Sequence, residues 1–159
     1  KECTEKGLPM MRALFVEYPH DAGAWLVEDE YLFGSQMLVA PMMESGSERD
    51  VYLPEGKWID YQTGKTYAGG WHTIQTGTIP AVILVRDGSV LPHIKLAQNT
   101  DEMDWSQLEL KVYASDATEA TGLVCLPSDN QLHPLTVSVK GHQVKADGLE
   151  GKVKFKVTD

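Results

Sequence analysis

Carboxylates are the groups best supplied for chemistry here. The sequence holds 23 Asp+Glu, and a facing pair of carboxylates is enough to hydrolyse a glycosidic bond. Two clusters stand out, Glu28-Asp29-Glu30 and Asp101-Glu102-Asp104. Carboxylates crowded on one chain segment seldom converge on a substrate. The first cluster suits the positive end of a helix dipole, and the second a solvated linker. Neither is assigned a catalytic role.

The other reactive residues are scattered. The five histidines, His20, His72, His93, His133 and His142, share no metal-ligand spacing. HExxH and CxxC are absent, so no metal site is expected. Ser45-Gly46-Ser47 does not fit the Gly-x-Ser-x-Gly nucleophile turn. No P-loop or GxGxxG occurs, and no cofactor is expected. Cys3 and Cys125 lie far apart; Cys125, inside Gly122-Leu123-Val124-Cys125-Leu126, reads as a small buried hydrophobe.

Aromatic rings offer binding rather than catalysis. Trp58, Tyr61 and Trp71 fall in a turn-rich stretch, and Trp105 lies in a polar one. Exposed rings of this kind stack on sugar faces, which makes Trp58, Trp71 and Trp105 the candidate sugar contacts. The competing account is that they fill a core or a domain interface, where large amphipathic rings also fit.

The elements that must position these residues are mostly strands. Pro54-Glu55-Gly56, Thr63-Gly64-Lys65, Gly69-Gly70, Asp87-Gly88, Lys140-Gly141 and Asp147-Gly148 divide the sequence into short apolar segments. That spacing predicts a mainly β fold of small antiparallel sandwich domains. Val153, Phe155 and Val157 alternate with Lys152, Lys154 and Lys156, as on a half-buried edge strand whose lysines discourage mispairing. Leu108–Val112 and Leu135–Val139 alternate likewise. The first residues differ. Met10–Val16 is almost continuously apolar, as in a strand covered on both faces. Glu28–Phe33 reads as a short helix that Gly34 ends. The polar stretch 97–107 reads as a domain boundary.

With 159 residues, 42% hydrophobic and a formal net charge of −9, the chain can bury a core. It is poorly suited to nucleic acid or an anionic membrane surface, because both demand Lys and Arg. No segment approaches the ~18 consecutive apolar residues of a membrane span. The opening Lys1-Glu2-Cys3-Thr4-Glu5-Lys6 lacks Met and is polar, so the chain is expected to start inside a longer polypeptide.

Several motifs occur together and in order. Gly7-Leu8-Pro9-Met10-Met11-Arg12-Ala13-Leu14-Phe15-Val16-Glu17-Tyr18-Pro19 resembles the last barrel strand of glycoside hydrolase family 31, G-x-P-V-x-R-P-L-F-x-E-F-P, with Ala13 in place of a proline. Asp29-Glu30-Tyr31-Leu32-Phe33-Gly34 followed by Met37-Leu38-Val39-Ala40-Pro41 is similar to D-x-Q-Y-L-x-G…L-L-V-A-P, with Glu30 in place of the usual Gln. Val51–Tyr61, Thr63-Gly64, Ile79-Pro80 and Val85–Pro92 continue the resemblance. The tail around Thr100–Trp105 looks most like the α-xylosidase branch.

The resemblance implies a parent that is a retaining α-glycosidase, acting on α-linked xylose or glucose in oligosaccharides. Such an enzyme has a (β/α)8 barrel followed by proximal and distal C-terminal β-sandwich domains. The implied division is 1–34 as the end of the barrel, 35–97 as the proximal sandwich and 98–159 as the distal β-domain. The family's two catalytic Asp residues lie on earlier barrel strands, and no family catalytic motif matches a position here. The segment is therefore expected to be inactive alone, with Glu17 structural. Its expected partners are its own catalytic barrel, the parent's oligosaccharide substrate and a second copy in a homo-oligomer. The alternative is a carbohydrate-binding module using the exposed Trp and Tyr.

Overall fold

A computed structural model describes residues 1–158. Strands account for 46% of the chain and helices for 9%, so the fold is mainly β as the turn spacing predicts. The chain divides into two compact units, Cys3–Asp87 and Gly88 onward. Each carries one six-stranded sheet.

The first unit contains β1 (Met11–Arg12), β2 (Tyr31–Phe33), β3 (Met37–Pro41), β4 (Glu48–Asp60), β5 (Thr66–Gln75) and β6 (Ala81–Arg86). Their order across the sheet is β1-β2-β3-β6-β4-β5, and every pairing is antiparallel. β4 follows β5 along most of its length but meets β6 only over Trp58–Asp60. The sheet can therefore fold over a shared core that includes Leu14, Leu32, Leu38, Val51, Leu53, Trp58, Ile74 and Leu84.

Pro54-Glu55-Gly56 is expected as a turn, yet it is a bulge within β4, where the register shifts between Leu53 and Lys57. Pro54 has no N–H to give the ladder, and Gly56 takes φ +131°, a conformation that side chains resist. Gly69-Gly70, also expected as a turn, lies opposite that bulge inside β5.

The opening residues depart further from expectation. Met10–Val16 is not one covered strand. Met11 is exposed, β1 has two residues, and Leu14–Glu17 forms a helical turn, α1. Glu28–Phe33 is not a helix either. Tyr31–Phe33 pairs with β1 and β3, which buries Leu32 between two outward side chains. Gly34 at φ +67° turns a hairpin rather than ending a helix.

The second unit contains β7 (Ser89–His93), β8 (Gln107–Tyr113), β9 (Glu119–Cys125), β10 (Leu132–Ser138), β11 (Val144–Ala146) and β12 (Lys154–Thr158), in the order β11-β10-β9-β7-β8-β12. Two of its pairings, β7 with β9 and β8 with β12, are parallel. That departs from a purely antiparallel fold. The seam also moves. β7 pairs with β8 from Ser89↔Tyr113 to His93↔Glu109, so the units part at Asp87-Gly88 rather than at 97–98. The acidic stretch is a loop inside the second unit. Cys125 is half-buried rather than enclosed. The alternating segments fall where expected: Leu108, Leu110, Leu135, Val137 and Val153 are core, and β12 forms a sheet edge.

Candidate functional site

The first unit carries a groove of about 780 Å³ whose walls include Glu17, Tyr18, His20, Asp21, Tyr52, Glu55, Gly69 and Gly70. One wall is the loop after α1. Asp21 there accepts hydrogen bonds at Oδ1 from the Gly23 N–H at 2.9 Å, the Ala24 N–H at 3.4 Å and the Tyr52 hydroxyl at 2.7 Å. The short side chain of Asp21 thus ties the loop to β4. Gly23 is required beneath the ring, since a Cβ there would stand 2.3 Å from Tyr52 Cζ. The bond to Asp21, aided by burial, pushes the Tyr52 hydroxyl up to a pKa of about 12.

The opposite wall is the β4 bulge and the glycine pair of β5. A Cβ on Gly69 would come within 3.0 Å of the Pro54 carbonyl oxygen, so the β5 part of this wall is bare backbone. Beyond it stands Trp71, 64% exposed, its ring centroid 5.3 Å from that of Tyr52 and tilted by 55°. Glu17 is half-buried and pairs with Arg12, whose guanidinium is enclosed and also donates to the Pro9 carbonyl at 2.8 Å. That pairing fits the structural role expected of Glu17. Burial raises the pKa of Tyr18, and its hydroxyl is enclosed without a hydrogen-bond partner.

The three tryptophans expected to contact sugar have different surroundings. Trp58 is 1% exposed, and its indole N–H donates to the Pro54 carbonyl at 2.9 Å, so its faces are covered by core. Trp105 is half-buried against the core of the second unit. Trp71 alone of the three presents an open face. Sequence reasoning missed Tyr52, Asp21 and the exposed Trp25, which stacks on Phe15 at 4.4 Å. The available signal was Asp21-x-Gly23, a spacing that favours a side-chain-to-backbone turn.

The acidic clusters do not form a facing pair. Glu30 is buried, with Oε1 accepting the Tyr52 N–H at 2.8 Å and lying 3.8 Å from Arg49 Nη2. Its Oε2 has no partner. Burial raises its pKa to about 7, only partly opposed by the Tyr52 N–H and Arg49. Asp29 is exposed and bonds Arg49 at 2.6 Å. Asp104 is held below the ordinary carboxylate range by hydrogen bonds from Ser106. Among the described residues no group of His, Cys, Asp or Glu is arranged to hold a metal ion. Among the described residues no helix is long and apolar enough to cross a membrane.

Two β-rich units, the first carrying a groove lined by aromatic and carboxylate side chains, define a β-domain region. The chain belongs to glycosyl hydrolase family 31: the model of that family's C-terminal domain matches residues 7–91. The match begins ahead of β1, so the residues resembling a barrel strand fall within that domain.

Alpha-glucosidase 2 of Bacillus thermoamyloliquefaciens is 35% identical over 122 residues, which is 76% of this chain and 15% of that protein. An alpha-xylosidase of Emericella nidulans is 39% identical over 95 residues, 54% of this chain and 12% of that protein. The chain thus spans less than a sixth of the length of these relatives. Among solved structures, a Flavobacterium johnsoniae dextranase of this family complexed with glucose superposes with a TM-score of 0.78 at 28% identity, covering 91% of this chain and 20% of that one. An alpha-xylosidase from Xanthomonas citri shares the fold with a TM-score of 0.74 at 24% identity over 99% of this chain and 18% of that one.

Proposed function

We propose that this chain is the non-catalytic C-terminal region of a retaining α-glycosidase that removes α-linked glucose or xylose, and that it braces the enzyme's catalytic barrel. The observation that carries the reading is where the exposed apolar side chains lie. Met10, Met11, Phe15, Trp25, Leu26 and Phe33 are between 37% and 80% exposed and fall within one short stretch of the first unit. Met11 and Phe33 are paired across β1 and β2, and Phe15 stacks on Trp25. Apolar side chains concentrated in this way mark a surface made to be covered. The stretch is the part of the chain that resembles a barrel strand and its continuation. The relatives' names, α-glucosidase and α-xylosidase, support the reaction class, and the chain's small share of their length supports its place as an appended region.

Titrating this chain into the separately produced catalytic portion of the parent enzyme tests the bracing role. Saturable binding that Trp25→Asp and Leu26→Asp abolish is the expected result. Binding indifferent to both substitutions would refute the role given to this surface.

A further inference from the structure

The groove between the Asp21 loop and the β4 bulge has features that bracing does not use. We infer that it is a saccharide-binding site, taking one or two rings of a neutral α-linked oligosaccharide against Trp71 and Tyr52. The inference rests on the reading of the chain as part of an α-glycosidase, since that places it beside such sugars.

Three observations converge. Tyr52 lines the groove, and Trp71, its partner across β4 and β5, stands beside it 64% exposed, with the two ring centroids 5.3 Å apart. Pyranose C–H faces pack on rings of this kind, while hydroxyls at the sugar's edge need polar partners. Acceptors are at hand: only Oδ1 of Asp21 is engaged within the protein, and Glu55 at the groove wall is exposed. The wall at Gly69-Gly70 is bare backbone, held so by the close approach of Gly69 to Pro54. A flat ring can therefore approach the Gly69-Gly70 backbone without meeting a side chain from that part of β5.

Three carboxylates line the groove. Arg12 pairs with Glu17, whereas Asp21, hydrogen-bonded by neutral donors, and Glu55 keep their charges and stand as acceptors for sugar hydroxyls.

Calorimetric titration of the 159-residue chain with maltotriose and isomaltotriose tests the assignment. Trp71→Ala, Glu55→Gln and Trp25→Ala serve as variants, and circular dichroism confirms that each is folded. Binding of either trisaccharide, weakened about tenfold by Trp71→Ala and measurably by Glu55→Gln but untouched by Trp25→Ala, is the result expected from a stacking contact. No heat from the folded chain, binding that survives Trp71→Ala, sensitivity to Trp25→Ala, or preference for a trilysine peptide would each overturn it. None of these failures touches the bracing role, which is read from association with the barrel.

Discussion

Glu30→Gln isolates a single buried charge. In the folded chain Glu30 has a pKa of about 7, raised by burial from an ordinary 4.5. A carboxyl with a raised folded pKa binds its proton more tightly folded than unfolded. It costs nothing below the unfolded value, and stability falls as pH rises through the window from 4.5 to about 7. Linkage puts the loss from this one group at about 2–3 kcal/mol between about pH 5 and about pH 8.

Glutamine removes the titration and keeps an oxygen for the Tyr52 N–H. Arg49 retains Asp29 and the Pro41 carbonyl. The resembled motif carries Gln at this position, which argues that the amide is accommodated. Urea unfolding of both chains at the two pH values provides the assay, followed by the intrinsic fluorescence of the four tryptophans, three of which lie in the first unit. The variant's stability relative to the original should rise by about 2–3 kcal/mol from the lower pH to the higher. Every other titrating group is common to both chains and cancels. Parallel pH profiles, or a variant that weakens as pH rises, would refute the claim that Glu30 is held against its ionisation.

Two further substitutions probe the packing of each unit separately. Trp58→Ala empties a site at the centre of the first core and removes the bond to Pro54, so it should cost about 3–5 kcal/mol in urea unfolding followed by circular dichroism. Gly122→Ala would bring a Cβ to 2.4 Å from the Val90 carbonyl oxygen, forcing β7 and β9 apart. A loss of at least about 1–3 kcal/mol, with faster amide exchange confined to the second unit, is the expected outcome.

The sequence revealed most where one face of a strand is buried and the other wet. Leu108–Val112, Leu135–Val139 and Val153–Val157 alternate because the second core lies on one side only, and period two survives in the residue types. It misled where apolar character has another origin. Met10 and Met11 are apolar without being core, so counting them produced a covered strand. Glu28–Phe33 carries helix-start acids, yet the tertiary demand of Leu32 for the core makes its end a strand. The division at Asp87-Gly88 was hidden because β7 has only five residues and pairs with strands across a long acidic loop. Parallel pairings set by distant partners leave no local trace. Trp71 was legible as an exposed-ring candidate, but its groove was not, since Asp21 and Tyr52 meet across 31 positions of sequence.

Turnover by the purified 159-residue chain tests the central claim most directly. The chain is incubated with nitrophenyl α-glucoside and nitrophenyl α-xyloside, with folding verified in the same sample. The account predicts no release of nitrophenol above buffer from either substrate, because the chemistry is assigned to a barrel outside these residues. Release that scales with folded protein and persists through repeated purification would contradict it, and would place catalytic groups within this chain.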